Sequence, residues 1–150
     1  MKIEIKKTNI KDLDFLFDNL RDCDRQEILQ NLRNESFQEH IKKYKALPLE
    51  NVYSVFIANK LVCVFGTSKT KYGCAYVWML STKYLSKFNK TFLKNTPDIR
   101  KIAFDNNIKL FNFVYTKNKS AIRYLEYVGA VFKNVFSKDK KFQYFEIVRN

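Results

Sequence analysis

The stretch from Lys109 to Ala130, KLFNFVYTKNKSAIRYLEYVGA, constrains the fold more than any other. From Leu110 to Tyr115 aromatic and aliphatic residues are nearly continuous, the pattern of a strand covered on both faces. Thr116 to Ser120 is polar and reads as a turn, and either Asn118 or Ser120 suits the cap of a following helix. Ala121, Ile122, Leu125 and Val128 then fall on one helical face. Gly129 stands where a helix ends in a left-handed residue.

The chain before this unit starts with Ile3 and Ile5 alternating with charge from Lys2 to Lys7, a first strand. Asn9 or Asp12 opens a helix through Leu13, Leu16, Phe17 and Leu20. Asp22 or Asp24 opens a second with Ile28, Leu29 and Leu32 apolar. Ser36 caps a third carrying Phe37, Ile41 and Tyr44, and Pro48 ends it. The period changes at Val52. Val52–Ala58 and Leu61–Thr67 read as a hairpin with a tight Asn59-Lys60 turn. Ser68 to Gly73 is a second turn, and Cys74–Leu80 is a third strand of the meander. Leu85, Phe88 and Phe92 give helical spacing between Tyr84 and Lys94, and Thr96-Pro97 suits the cap and first turn of a helix from Pro97 to Asp105. After the opening unit, Val131–Phe136 and Phe142–Val148 close the chain as a hairpin over Ser137–Lys140. The order β, α, α, α, β, β, β, broken α, β, α, β, β is that of an α+β fold with a mixed, mainly antiparallel sheet. The helical crossover makes Cys74–Leu80 and Lys109–Tyr115 parallel neighbours.

A length of 150 residues fits one domain over 1–150, and 46% hydrophobic with 16% aromatic content excludes a disordered chain. No apolar run approaches the roughly 18 residues of a membrane span, and the charged start MKIEIKK is unlike a signal peptide, so a soluble intracellular protein is expected. Cys23, Cys63 and Cys74 are odd in number and lack metal-type spacing, which argues against a disulfide framework or a metal site. Cys63 alternates within a strand and reads as core. Residues 1–82 carry 13 basic and 10 acidic groups while residues 83–150 carry 15 and 5, so +10 of the net +13 lies in the second part. Such a field attracts polyanions: nucleic acid, anionic lipid or a phosphate-rich cofactor. An AT-rich, lysine-biased coding sequence accounts for the charge equally. No P-loop, G-x-S-x-G, dinucleotide fingerprint or nucleic-acid-recognition motif is present.

The element order resembles the GCN5-related N-acetyltransferase (GNAT) fold, here with six to seven strands flanked by helices. Asn118, Ala121 and Gly129 reproduce the N-x-x-A…G pattern of that fold's fifth strand and following helix. A nearer resemblance is to a small GNAT-like family of tailed phages that includes an internal virion protein. It is carried by Leu20-Arg21-Asp22-Cys23-Asp24-Arg25-Gln26-Glu27-Ile28, Val64-Phe65-Gly66, Val77-Trp78-Met79-Leu80-Ser81-Thr82, Leu110-Phe111-Asn112-Phe113-Val114 and the block from Asn118 to Gly129.

The resemblance implies an acyltransferase that moves an acetyl group from acetyl-CoA to an amine, with Glu27 as general base beside Asp24. Leu80, Ser81, Thr82, Lys83, Lys87, Asn118 and Arg123 are the implied cofactor contacts, with amides at the start of the helix after Ser81 meeting the pyrophosphate. Trp78 either stacks on substrate or packs in the core. Asn118 either meets cofactor or caps its helix. Two positions depart from the family. The pyrophosphate loop, usually of the form Q/R-x-x-G-x-G/A, is here Ser81-Thr82-Lys83-Tyr84-Leu85-Ser86-Lys87 without glycine, and Lys83 and Lys87 offer charge in its place. The tyrosine that usually protonates the leaving thiolate is Leu125, with Tyr124 one place earlier. These departures equally imply an inactive GNAT-fold phage protein working in virion assembly, or packaged in the particle with DNA. Its partners would then be virion proteins or, non-specifically, nucleic acid, in the cytoplasm of an infected bacterial host. His40, the single histidine, has no partner at catalytic spacing and reads as surface.

Overall fold

Alternating and 3.6-residue apolar periods resolve into one seven-stranded sheet with helices on both faces, in a computed structural model that describes residues 2–149. The elements are β1 (Ile3–Lys7), α1 (Ile10–Asp18), α2 (Asp22–Gln30), α3 (Phe37–Lys45), β2 (Val52–Ile57), β3 (Lys60–Lys69) and β4 (Cys74–Ser81). A 3-10 helix (Lys83–Phe88) and α4 (Asn89–Lys94) then lead to α5 (Thr96–Phe104), β5 (Lys109–Tyr115), α6 (Lys119–Tyr127), β6 (Val131–Phe136) and β7 (Phe142–Val148). The strand order is β1-β2-β3-β4-β5-β7-β6, and β4–β5 is its parallel pair.

Capping chemistry sets the first helices. Asn9 accepts from the Asp12 amide and Ser36 from the Glu39 amide, each in a reciprocal capping box. Thr96, expected to cap, lies inside α5, whose cap position is Asn95. The β2–β3 turn is also one residue earlier than expected. Ile57 pairs with Lys60, so Ala58 and Asn59 form the turn, with φ of 51° and 63°. Two left-handed residues match the twist of a two-residue hairpin.

The sheet separates two apolar layers. Leu13, Leu16, Phe17, Ile28 and Ile41 of the first three helices pack on Val52, Leu61, Val64 and Leu80. On the other face Phe92, Ile99, Ala103 and Phe104 pack on Val55, Cys63, Phe65, Leu110, Val114, Phe145 and Ile147. The strand covered on both faces is therefore β3, buried from Leu61 to Gly66. On β5 only Leu110 and Val114 are buried. Its other face forms aromatic pairs, Phe111 and Phe113 with Tyr144 and Tyr115 with Phe142, which replace a second layer of helices. Gly129 ends α6 at φ 93°, in the left-handed region.

Candidate functional site

The β4–β5 ladder opens after three register pairs, Cys74–Lys109, Ala75–Leu110 and Tyr76–Phe111. Continued, it would join the Phe113 amide to the Val77 carbonyl. The Asn112 side chain stands between them instead. Its Nδ2 donates to Val77 O at 2.7 Å and its Oδ1 accepts from Phe113 N at 2.6 Å. At the far end of β4 the α1–α2 connection closes the same edge: Arg21 N donates to Ser81 O (2.9 Å) and Lys83 N to Asn19 O (2.8 Å). Antiparallel alternation with β3 points the backbone groups of Val77, Met79 and Ser81 away from β3. Between the two closures Met79 has no register partner on β5 among the described residues.

Glu27 lies in this gap. In a closed ladder the Tyr115 amide would face Met79; it donates to Glu27 Oε1 at 3.3 Å. Asn118 Nδ2 donates to the same oxygen at 3.0 Å and to Asp24 Oδ1 at 3.2 Å. The Asn118 Oδ1 accepts from the Ala121 amide at 3.2 Å, which caps α6, while the two carboxyl partners take both N–H donors of the side-chain amide. Asp24 is buried and accepts further from Arg21 Nε (2.9 Å) and Ser81 N (2.8 Å). One asparagine thus ties α2 to the β5–α6 turn through two carboxyl groups. Burial pushes the Glu27 carboxyl up to about 7, the neighbouring Asp24 charge adds to the rise, and the Asn118 and Tyr115 donors oppose it.

A cleft of about 690 Å³ opens from this gap toward α5 and α6. Glu27, Ser81, Lys83, Arg123 and Tyr124 line it over an apolar floor that includes Val77, Met79, Phe92 and Leu110. Ser81 Oγ is buried there without a hydrogen-bond partner. Tyr124 packs against Phe92 with the rings tilted by 43°, its hydroxyl 3.1 Å from Thr96 Oγ1, and burial raises its pKa above the ordinary tyrosine value. The amides expected to meet a pyrophosphate are already used. Lys83 N donates to Asn19 O, Tyr84 N to Thr82 Oγ1 at 3.3 Å, and Leu85 N to Thr82 O at 3.2 Å. The cationic side chains at this end of the cleft are Lys83, Arg123 and Arg21, the last paired with Asp24 at 2.9 Å. Among the described residues no group of His, Cys, Asp and Glu is arranged to hold a metal ion, and no helix is long and apolar enough to cross a membrane.

Residues 59–137 match the sequence profile of the family described as "Bacteriophage T7, probable scaffold protein Gp13". The chain belongs to the phage T7 Gp13 family. It is 36% identical over 73 residues to the "Probable scaffold protein gp13" of Escherichia phage T7, a match covering 49% of this chain and 50% of that protein. The chain therefore spans about half the length of the curated relative it matches. The fold of this Gp13-family member is that of the GNAT acetyltransferases. It superposes on the PaiA N-acetyltransferase of Thermoplasma acidophilum in complex with coenzyme A at a TM-score of 0.66, with 16% identity over 99% of this chain and 100% of the other. For AAC(6')-Ib in complex with ribostamycin and coenzyme A the TM-score is 0.71, with 16% identity and coverages of 99% and 94%. For a GNAT-family acetyltransferase of Bacillus anthracis it is 0.69, with 15% identity and coverages of 99% and 95%.

Within this Gp13-family fold the residues singled out from sequence separate into two groups. Glu27, Ser81, Thr82, Lys83 and Arg123 line the cleft, and Trp78 borders it. Trp78 is also packing: an added Cβ on Gly66 would lie 2.8 Å from its ring, and Tyr44 meets it edge-on at 5.2 Å. Four residues do not reach the cleft. Asp24 and Asn118 are buried in the cluster behind Glu27, Leu80 packs in the α1–α3 layer, and Lys87 lies on the other side of the 3-10 helix, near Tyr84. His40 is half-buried rather than on the surface, 3.0 Å from Glu35. Asn112 is the group that sequence reasoning missed, whereas Ser81 was named there as a cofactor contact. An asparagine inside an aromatic strand, LFNFVY, was the available signal for it.

Proposed function

We propose that this chain is a coenzyme A-dependent N-acyltransferase whose general base is Glu27. The observation that carries the reading is a carboxyl group with a pKa raised to about 7, hydrogen-bonded through one oxygen only and set in the gap between two splayed parallel strands. Such a group accepts a proton at neutral pH. The Met79 backbone, without a register partner on β5, and the orphaned Ser81 hydroxyl suit an extended amide-bearing arm, and the apolar floor suits its aliphatic part. Acetyl-CoA, when bound, supplies the acyl thioester. Glu27 takes the proton that a substrate amine loses as it becomes an amide. Tyr124 lines the cleft and its hydroxyl, 3.1 Å from Thr96 Oγ1, keeps its proton at neutral pH and serves as donor to a leaving group. Lys83 and Arg123 counter phosphate charge that the engaged amides of Lys83, Tyr84 and Leu85 do not meet.

Isothermal titration with coenzyme A and with acetyl-CoA, followed by thiol release in the presence of a polyamine and a peptide amine, tests this directly. The expected result is binding by wild type and by Glu27→Gln, with turnover in wild type alone. Absence of binding at about millimolar cofactor, where even a weak site is occupied, would sink the reading.

A second reading has its own observation, the family match. A Gp13-family chain whose cleft has spent its phosphate-binding amides is suited to a structural role in phage particle assembly. Co-sedimentation with assembling heads in infected cells, unchanged by Glu27→Gln, is its expected signature.

A further inference from the structure

The 3-10 helix has a second side that the cleft does not use. Tyr84 and Lys87 point away from the cleft, which Lys83, Leu85, Ser86 and Asn89 line. Three lysine ammonium groups converge on the Tyr84 ring: Lys60 at 4.5 Å from its centroid and Lys87 at 5.8 Å, both outside the cleft, and Lys83 at 5.5 Å from the cleft rim. The ring stacks on Phe15 at 6.0 Å, which fixes it to α1. Lys87 and Lys90 border one shallow depression beside it. Residues 83–94, KYLSKFNKTFLK, carry four lysines and no acid.

These cations lack the compensation found elsewhere. Lys43 pairs with Glu35, Lys45 with Asp14 and Lys109 with Glu146. Among the described residues none of Lys60, Lys83, Lys87 and Lys90 lies within ion-pair distance of a carboxylate. Gathering like charges around one ring costs repulsion that the ring offsets only in part, since a cation over an exposed aromatic gains about 0.5–1 kcal/mol. An anion placed among them removes the repulsion, and the row along the 3-10 helix and α4 extends over several charges rather than one.

We infer that this face binds the phosphate backbone of nucleic acid, through Lys60, Lys83, Lys87 and Lys90 around Tyr84. Recognition is sequence-independent, because ammonium groups contact phosphate oxygens and leave base edges unread. Lys83 also lines the cleft, whereas Lys60, Lys87 and Lys90 do not, and the inference rests on those three whether or not the cleft binds coenzyme A.

The test is fluorescence anisotropy with a labelled 20-base-pair DNA duplex, titrated at several salt concentrations. Wild type is expected to bind with an affinity that falls with salt, at a log–log slope of about −3 to −4 for about four phosphate contacts. The Lys60→Glu/Lys87→Glu double variant is expected to lose at least about tenfold in affinity and to lower the slope by about 2. A control with the same net charge, Lys133→Glu/Lys138→Glu on the closing hairpin, should stay within about threefold of wild type. Should the charge reversal unfold the protein, as judged by circular dichroism, the Lys60→Gln/Lys87→Gln pair carries the same comparison. Equal losses in test and control variants, or no binding at low salt, would each overturn the assignment.

Discussion

Glu27 shows how the same residue type takes different chemistry from its surroundings. In an unfolded chain its carboxyl has the ordinary value of 4.5, and in the fold it holds its proton up to about 7. Between those limits the folded state binds more protons than the unfolded state, so stability falls as pH rises. The contribution is complete below the lower value and is lost through the upper one, about 3 kcal/mol in all. Glu27→Gln removes the titration while keeping an acceptor for Asn118 and Tyr115. Urea unfolding of both proteins at about pH 5 and about pH 8 should show wild type losing about 2–3 kcal/mol more than the variant. Identical pH dependence in the two would contradict this environment for Glu27. The pair Asp24 and Glu27 was named from the resemblance, and its spacing agrees, because three residues apart on a helix means one face. What spacing did not carry was that a single asparagine, Asn118, would donate to both and thereby be withdrawn from any ligand.

At the scale of elements, the strand and helix boundaries followed from caps, turns and periods, and the misreadings have physical causes. A run of aromatic residues in β5 looked like a strand buried on both faces. Its second face is occupied by rings from β4 and β7, which shield one another at the surface. The β2–β3 hairpin was shifted by one residue because Ala58 is a poor signal for a left-handed turn position. Alanine at a φ of 51° is strained in a way that glycine is not. Ala58→Gly should therefore stabilise the protein by about 1 kcal/mol, read as a higher midpoint in urea with an unchanged slope. A lower midpoint would mean that the lost freedom of the unfolded chain outweighs the strain. The closure of both ends of the β4 edge was not legible at all. It depends on Asn112 and on the α1–α2 connection, side-chain and backbone contacts that no local pattern encodes.

For the molecule as a whole, the α+β class and the parallel pairing of β4 with β5 were readable because the crossover between them admits one hand and one direction, whereas the place of β7 between β5 and β6 was not read. Function was less readable, since one fold hosts many chemistries and the glycine-free loop breaks its usual phosphate cradle. The narrow junction between β4 and β5 has a further consequence. Strands β1 to β4 come from the first part of the chain and β5 to β7 from the last, and three register pairs join them, with the Asp24–Asn118–Glu27 cluster bridging the open end. The sheet is continuous in space but assembled from two consecutive stretches of chain, each with its own short-range pairings. Native-state amide exchange should resolve them as two cooperative units, with amides of β2 and β3 opening together and those of β5 and β7 opening at a different free energy. One common opening for all strands would show that the junction is as strong as the ladders beside it. The expected division makes the seam between the parallel strands a hinge in the energetic sense: the place where the molecule comes apart first is also the place where its cleft begins.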